Sequence, residues 1–441
     1  MRWNQRYVIR SYIRASLWVV PFAAVLFYLL ASRFTHGIGG WLQRSGRIDE
    51  TTAFLALSMA GARTLLDTII TLNLSFLVFT FGSLLVAIQV AGGQYTPRII
   101  ATTLLRDNKI RFTVGYFVFS LLFAVRVVIR MNGDTVHQFN TFIAAGLGLV
   151  SVVVFLYLID YAARFLRPVS IVKRVGEAGL AVIESVSTES SAQPHPTGTR
   201  PRTASPARTV AHAGTSGIVL AVDLAGLVAL ARKAGGSIEF MPQVGDFVAV
   251  DEPLFRLYGG ASAIDDRQLR GSVALGSERT LEQDPTFAFR ILVDIAIKAL
   301  SPAINDPTTA VLAIDQLHRL LRRVGLRNTQ GEELRDAEGE PRLVLRTPHW
   351  EDFVHLTCTE IRHYGAGSIQ IVRRMRSLLE NLMQTLPAHR HAVLGQQLEL
   401  LDRAIEEQYA FPEDRTMARV ADPQGLGGAL GVPAVIETEE G

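Results

Sequence analysis

Cysteine is nearly missing from this chain: Cys358 stands alone among 441 residues. That excludes an intrachain disulfide framework and fits a soluble part kept in a reducing compartment. An excess of one charge is missing too, since 44 Lys and Arg face 41 Asp and Glu for a net +3. Charge therefore gives no support to polyanion binding, and nucleic acid is not an expected partner. Charged residues make up only 19% of the chain, below the roughly 25% of ordinary soluble proteins.

The usual catalytic signatures are also wanting. No Walker spacing occurs, and no Ser, His and Asp fall in a recognisable context. His355 and His363 lie eight residues apart around Cys358, do not share a helical turn cleanly, and have no second cysteine. No metal site, no cofactor and no enzymatic activity are expected.

What the chain has is apolar sequence, 49% of all residues, concentrated before Tyr161. The stretch that organises it runs from Asp67 to Pro97. Between Thr68 and Ala91 there is no charge, and the run is long enough to cross a hydrocarbon core as a helix. Thr68, Thr71, Ser75, Gly82 and Gln89 recur at spacings of three, four or seven, so they share one helical face. Asn73 and Thr80 form a second, thinner polar line. Gly92 and Gly93 are expected to release the helix as a hinge, and Thr96-Pro97 reads as the cap and start of another.

Three more apolar spans give four in all: residues 16–32, 67–91, 112–129 and 142–161, within a transmembrane domain covering 1–175. Arg2, Arg6, Arg10 and Arg14 recur every four residues beside Trp3, Tyr7 and Tyr12, a pattern suited to an interfacial helix. Basic residues also crowd the loop after the second span (Arg98, Arg106, Lys109, Arg111) and the exit of the fourth (Arg164, Arg167, Lys173, Arg174). The positive-inside rule then places both termini in the cytosol. Arg126 lies near the outer end of the third span and reads as a snorkelling side chain.

Residues 185–213 are rich in Ser, Thr, Pro and His without apolar periodicity and read as a disordered linker. A small β module (216–260) follows. Gly217 to Val222 reads as a strand, Asp223 caps a helix ending at Gly235-Gly236, and short strand-like runs lie between turn residues. The run VGDFVAVDEPLFRL resembles the hairpin of biotinyl- and lipoyl-type domains. The nearby Lys233 falls on the expected helix, so no swinging cofactor arm is expected.

A helical domain (265–410) comes next. Asp284-Pro285 and Asp306-Pro307 are N-cap and N1 pairs, residues 328–342 read as a polar surface loop, and Leu343 to Leu345 as a strand. Apolar spacing from Ser368 onward, broken at Pro387, predicts two packed helices. Residues 411–441 read as a flexible tail. The fold class is an α-helical membrane protein with four transmembrane helices, followed by a cytosolic α+β region, a small β module plus a helical bundle.

Three segments together resemble a family of bacterial predicted membrane proteins defined by a domain of unknown function. They are QVAGGQYTPRII (89–100), ALSPAINDPTTAVLAIDQL (299–317) and IRHYGAGSIQIVRRM (361–375). The resemblance spans nearly the whole chain and implies a bacterial inner-membrane protein with N-terminal spans and a cytosolic C-terminal region. It supplies no activity.

Two candidate sites follow from the residues. The stripe of Thr68, Thr71, Ser75, Gly82 and Gln89 either lines a path for a small ion in a homo-oligomer or packs helices closely. The connector with Ser301, Asn305 and Asp306, and the helix start with Gly365, Gly367, Ser368, Arg373 and Arg374, offer anion cradles. Their plainer reading is a capped turn and a packed helix start. The functional expectation is an oligomeric channel or channel-like transporter in the lipid bilayer. The alternative is a non-conducting sensor or scaffold whose C-terminal domain binds a partner or small ligand.

Overall fold

The computed structural model describes residues 2–15, 19–29, 57–94, 107–131, 138–165, 167–186, 205–327 and 333–428. The chain divides into two compact units. One holds Tyr12–Gly93 and Ile99–Arg167, the other Met1–Ser11, Gln94–Arg98 and Pro168–Gly441.

The described elements of the first unit are all helices. Helix α1 (Trp3–Ala15) leads into it and leaves Val8, Ile9 and Ile13 exposed. Helix α2 (Val19–Leu29) follows, then α3 (Met59–Gln94), α4 (Asn108–Ile129) and α5 (Gln138–Phe165). Among the described residues α3, α4 and α5 are the three helices long and apolar enough to cross a membrane. The expected first span, 16–32, is described only as α2. At about 1.5 Å per residue that is roughly half of a ~30 Å hydrocarbon core. Its remaining residues lie outside the described ones, so three spans stand where four were expected.

Helix α3 starts at Met59, two turns before the expected span, and carries on through Gly92 and Gly93 to Gln94. The glycine pair is itself helical, and the helix is described up to Gln94, the next residue. An added Cβ on Gly93 would meet nothing, so neither clash nor strain forces a break there. Thr96 and Pro97 lie outside the described residues.

Helix α4 begins where the Asp107 carboxylate accepts the Lys109 and Ile110 N–H groups, satisfying donors that a helix start leaves open. Leu66, Ile69, Phe123, Ala124, Val127 and Ala144 form the apolar centre, and Phe76 stacks on Phe155 with centroids 4.0 Å apart. Gly148 lets α5 approach Ile69 so closely that an added Cβ would stand 2.7 Å from its Cγ1.

In the second unit, helix α6 (Pro168–Val186) starts three residues after α5 and packs against α9 and α10 (Pro285–Ala299 and Pro307–Gly325). The expected domain boundary at 175 thus falls inside α6, whose buried Ile171, Val172, Val175, Val182 and Ile183 belong to the C-terminal body. The expected linker 185–213 shrinks at both ends. Helix α6 includes Ser185, and strand β1 (Arg208–Ala211) pairs antiparallel with β5 (Pro253–Gly259).

The other strands are β2 (Gly217–Val222), β3 (Gly236–Phe240), β4 (Phe247–Val248), β6 (Val273–Gly276), β7 (Glu333–Arg335) and β8 (Pro341–Leu345). They form a five-stranded sheet, β1-β5-β3-β8-β7, and a three-stranded sheet, β4-β2-β6. β3 and β8 run parallel and the other pairs antiparallel. Because β4 and β5 lie in different sheets, the biotinyl-type hairpin expected for VGDFVAVDEPLFRL does not form.

Between the sheets' strands, α7 (Leu224–Ala234) is capped by Asp223 and ended by Gly235 at φ 64°, the left-handed geometry glycine tolerates best. Helix α8 (Asp266–Gly271) precedes β6. The expected surface loop at 328–342 turns out, where described, to be the β7–β8 hairpin. Asp336 holds its turn by accepting the Glu338 and Glu340 N–H groups and pairing with Arg342. The β module and the helical region are therefore one body, since β8 from the second completes the sheet of the first.

Helix α9 buries nearly all round, including Phe287, Phe289, Ile291, Leu292, Val293 and Ile295. Around it lie α10, α11 (Trp350–Gly365), α12 (Ile369–Thr385), α13 (His391–Gln408) and α14 (Pro412–Ala418). Arg290 ties α9 to α11 through Glu360 while also pairing with Asp294 one turn on. The expected flexible tail from 411 contains α14 and an ordered stretch to Gly428. Arg373, fully buried, donates from Nε to the Val420 carbonyl at 2.9 Å and also to the Gly428 carbonyl. The Asp422 carboxylate accepts the N–H groups of Gln424, Gly425 and Gly427.

Candidate functional site

The five stripe residues do share one face of α3. Thr68, Thr71, Ser75, Gly82 and Gln89 are all exposed, next to exposed Leu74, Val78, Phe79, Leu85 and Val86. Among the described residues the alternative of close packing against the chain's own helices is not seen, because the opposite face of α3 fills the bundle centre. Three hydroxyls need no outside partner as donors. Thr68 donates to the Thr64 carbonyl, Thr71 to Asp67 and Ser75 to Thr71, each at 2.8 Å. This back-bonding is the ordinary way a helix satisfies a hydroxyl facing an apolar medium.

The thinner polar line is the one that goes inside. Asn73 is fully buried, donating from Nδ2 to the Ile69 carbonyl (2.9 Å) and to Ser120 Oγ (3.3 Å). Ser151 Oγ, also fully buried, donates to Asn73 Oδ1 (2.8 Å), with the Leu147 carbonyl at 3.0 Å. Three helices, α3, α4 and α5, thus meet at one hydrogen-bonded cluster. Thr80 is buried as well and donates to the Phe76 carbonyl at 2.6 Å. Sequence reading singled out Asn73 but not Ser120 or Ser151, because each is a lone small polar residue in an otherwise apolar run.

In the C-terminal body the two candidate turns of sequence come together as architecture. Ser301 Oγ donates to the Lys298 carbonyl (2.6 Å), Asn305 adopts φ 48°, and the Asp306 N–H donates to the Ala299 carbonyl (2.8 Å). The Asp306 carboxylate caps α10 through the Thr309 N–H (3.1 Å). Its occupation of that donor opposes an anion there.

Gly365 sits beside Leu300 of the same connector, where an added Cβ would be 3.2 Å from its Cδ1 and 2.5 Å from Ile371 Cγ2. Ser368 takes the N-cap position without a side-chain cap bond, while an added Cβ on Gly367 would make only ordinary contact with Gln408, 3.8 Å away. The arginines of the alternative phosphate cradle are engaged elsewhere. Arg373 is turned to the Val420 and Gly428 carbonyls, and Arg374 to Asp315 at 2.7 Å.

His355 pairs with Gln397 (3.2 Å), and burial pushes the Cys358 thiol up to about 12. Among the described residues no group of three His, Cys, Asp or Glu is gathered as for a metal ion.

A groove that sequence reading missed lies between α6 and α10, an open cleft of about 540 Å³. Helix α10 lines it with Asp315, His318, Arg319, Arg322 and Arg323 and, at its C-cap, Leu326, and α6 with Leu180 and Glu184. Spacings of three and four put the α10 set on one face. A reading of α10's polar face as closely as its apolar one would have found them. Only the fold supplies the opposite wall.

The groove's charges sort cleanly. Arg323 pairs with Glu184 at 3.1 Å and Asp315 with Arg374. His318 is set between Arg374 Nη2 (3.3 Å from Nδ1) and Asn381 Oδ1 (3.0 Å from Nε2). A guanidinium only donates, so Nδ1 accepts and Nε2 carries the proton. Burial, then the Arg374 charge, lowers this histidine's pKa and keeps it neutral. Arg319 and Arg322 are exposed and make no ion pair or hydrogen bond among the described residues.

Three apolar helices of spanning length among the described residues, on the same chain as a body of small sheets and helices, are the mark of a membrane protein. The chain belongs to the predicted membrane protein family DUF2254, whose profile matches residues 14–381. An uncharacterized protein of Mycobacterium bovis is 27% identical over 456 aligned positions, covering 98% of this chain and 83% of the relative. Uncharacterized proteins of two Mycobacterium tuberculosis strains align over the same shares at 27% and 26%. No solved structure matches the chain.

Proposed function

We propose that the protein is the subunit of a homo-oligomeric channel or channel-like transporter for a small ion, with the α3 helices of several copies facing one another. The observation that carries the reading is the outward stripe. A helix of membrane-spanning length presents Thr68, Thr71, Ser75, Gly82 and Gln89 away from its own bundle. Gln89 gains by meeting water or a sister copy rather than lipid. The hydroxyls already donate to their own helix, so their outward feature is oxygen lone pairs, which suit a small cation better than an anion. On this reading the C-terminal body assembles or gates the path, and the protein has no enzymatic role. The chain lies in the bacterial inner membrane with both termini cytoplasmic, as its basic loops favour.

Flux into liposomes tests the proposal. Wild-type protein is expected to conduct, and Ser75→Leu and Gly82→Leu to reduce flux while remaining folded. A monomer in mild detergent, or unchanged flux in both variants, sinks it.

A second reading, a non-conducting sensor or scaffold, draws support from the same back-bonding. Hydroxyls satisfied within their own helix tolerate lipid, so the stripe would need no partner copy. Lipid-accessible stripe residues in a non-conducting monomer would favour it.

A further inference from the structure

The groove between α6 and α10 carries two guanidiniums that the rest of the described body leaves unmatched. Glu184 is taken by Arg323 and Asp315 by Arg374, so neither acid neutralises Arg319 or Arg322. Those two stand three residues apart on one helical face and so are neighbours. Together they present two positive charges and a fan of N–H donors. A phosphomonoester, which carries about −1.5 to −2 charge at pH 7, matches that pair. A monocarboxylate would leave one guanidinium unmatched.

The remaining walls suit the rest of such a molecule. Leu180 and Leu326 offer apolar surface on opposite walls. His318 has both ring nitrogens engaged within the protein, so it presents a neutral flat wall and not a further charge. The volume of about 540 Å³ falls in the range of small-molecule sites.

We propose that this groove binds a small phosphorylated molecule, with its phosphate held by Arg319 and Arg322 and its apolar part laid against Leu180 and Leu326. The site goes beyond the channel reading and does not rest on it, since binding is measured without conduction.

The test is calorimetric titration of the full chain in dodecyl maltoside with adenosine monophosphate, and with adenosine as the phosphate-free control. Adenosine monophosphate is expected to saturate one site, with adenosine showing no binding. Arg319→Gln combined with Arg322→Gln should weaken the nucleotide about tenfold or more, as removing charge-assisted hydrogen bonds to one anion does. Arg267 and Arg403 are exposed arginines elsewhere on the same body. Changing both to Gln removes the same charge and should leave binding intact. Leu180→Trp fills the groove without altering charge and should also weaken binding, so the result does not hang on one variant's folding.

A lipid headgroup presents the same phosphate. Dihexanoyl phosphatidic acid below its micelle concentration is therefore titrated in parallel, and tighter binding than the nucleotide assigns the anion to lipid, weaker binding to a soluble molecule. Failure of both phosphorylated probes to bind overturns the proposal. So does equal weakening by the groove and control pairs, which would mean diffuse attraction to a basic surface.

Discussion

Replacing Asn73 by Ala should loosen the membrane unit far more than any change on the exposed stripe of the same helix. The Asn73 side chain makes two bonds to other helices, to Ser120 at 3.3 Å and from Ser151 at 2.8 Å. Hydrogen bonds between membrane helices average about 0.6 kcal/mol each and reach about 1.7. Two of them, plus the void left by the amide, put the loss at roughly 1–3 kcal/mol. Ser151 keeps the Leu147 carbonyl as an acceptor, which holds the figure below that of a fully orphaned hydroxyl. By contrast Ser75 is exposed and bonded only to its own helix, so Ser75→Ala should stay within about 0.5 kcal/mol. Unfolding in mixed micelles of dodecyl sulfate and dodecyl maltoside, followed by far-UV circular dichroism, measures both. A double-mutant cycle of Asn73→Ala with Ser151→Ala should return a coupling of about 0.6–1.7 kcal/mol. If Asn73→Ala costs no more than Ser75→Ala, or the coupling is nil, the buried cluster does not hold these three helices together.

Two further outcomes can be checked on the same protein. Gly148→Ala drives a methyl to within 2.7 Å of Ile69 while Gly146→Ala meets nothing. The first should therefore destabilise by about 1–3 kcal/mol, and the second should be neutral or gain up to about 1 kcal/mol because alanine lowers the entropy of the unfolded chain, in the same micelle assay. The lowered pKa of His318 means the unfolded chain takes up a proton there before the folded one does. Its stabilisation is complete above the ordinary histidine value of 6.5 and is lost as pH falls below it. The thermal midpoint of the C-terminal body should decline over that acid range, and His318→Gln should flatten the decline. A slope unchanged by the substitution would refute the assignment.

Local chemistry was the part of this fold that could be read in advance. Asp223 with Gly235, Asp284 with Pro285 and Asp306 with Pro307 each settle a helix end within a few residues, and all three do so in the structure. Strand β1 escaped notice because its four residues sit among Ser, Thr and Pro and acquire meaning only against β5, more than forty positions on. The β7 strand was hidden in a polar run for the same reason. Periodicity correctly put Thr68, Thr71, Ser75, Gly82 and Gln89 on one face of α3. The direction of that face is a property of α4 and α5, which no single-helix pattern contains. Arg319 and Arg322 look like solvated charges until α6 is laid beside them.

The grip of Arg373 on the Val420 and Gly428 carbonyls changes what a shortened chain means. The last described residues look like trimming, yet they supply acceptors for a guanidinium sealed in the interior. A stop codon after Arg419 would therefore act as a lesion at the heart of the helical body.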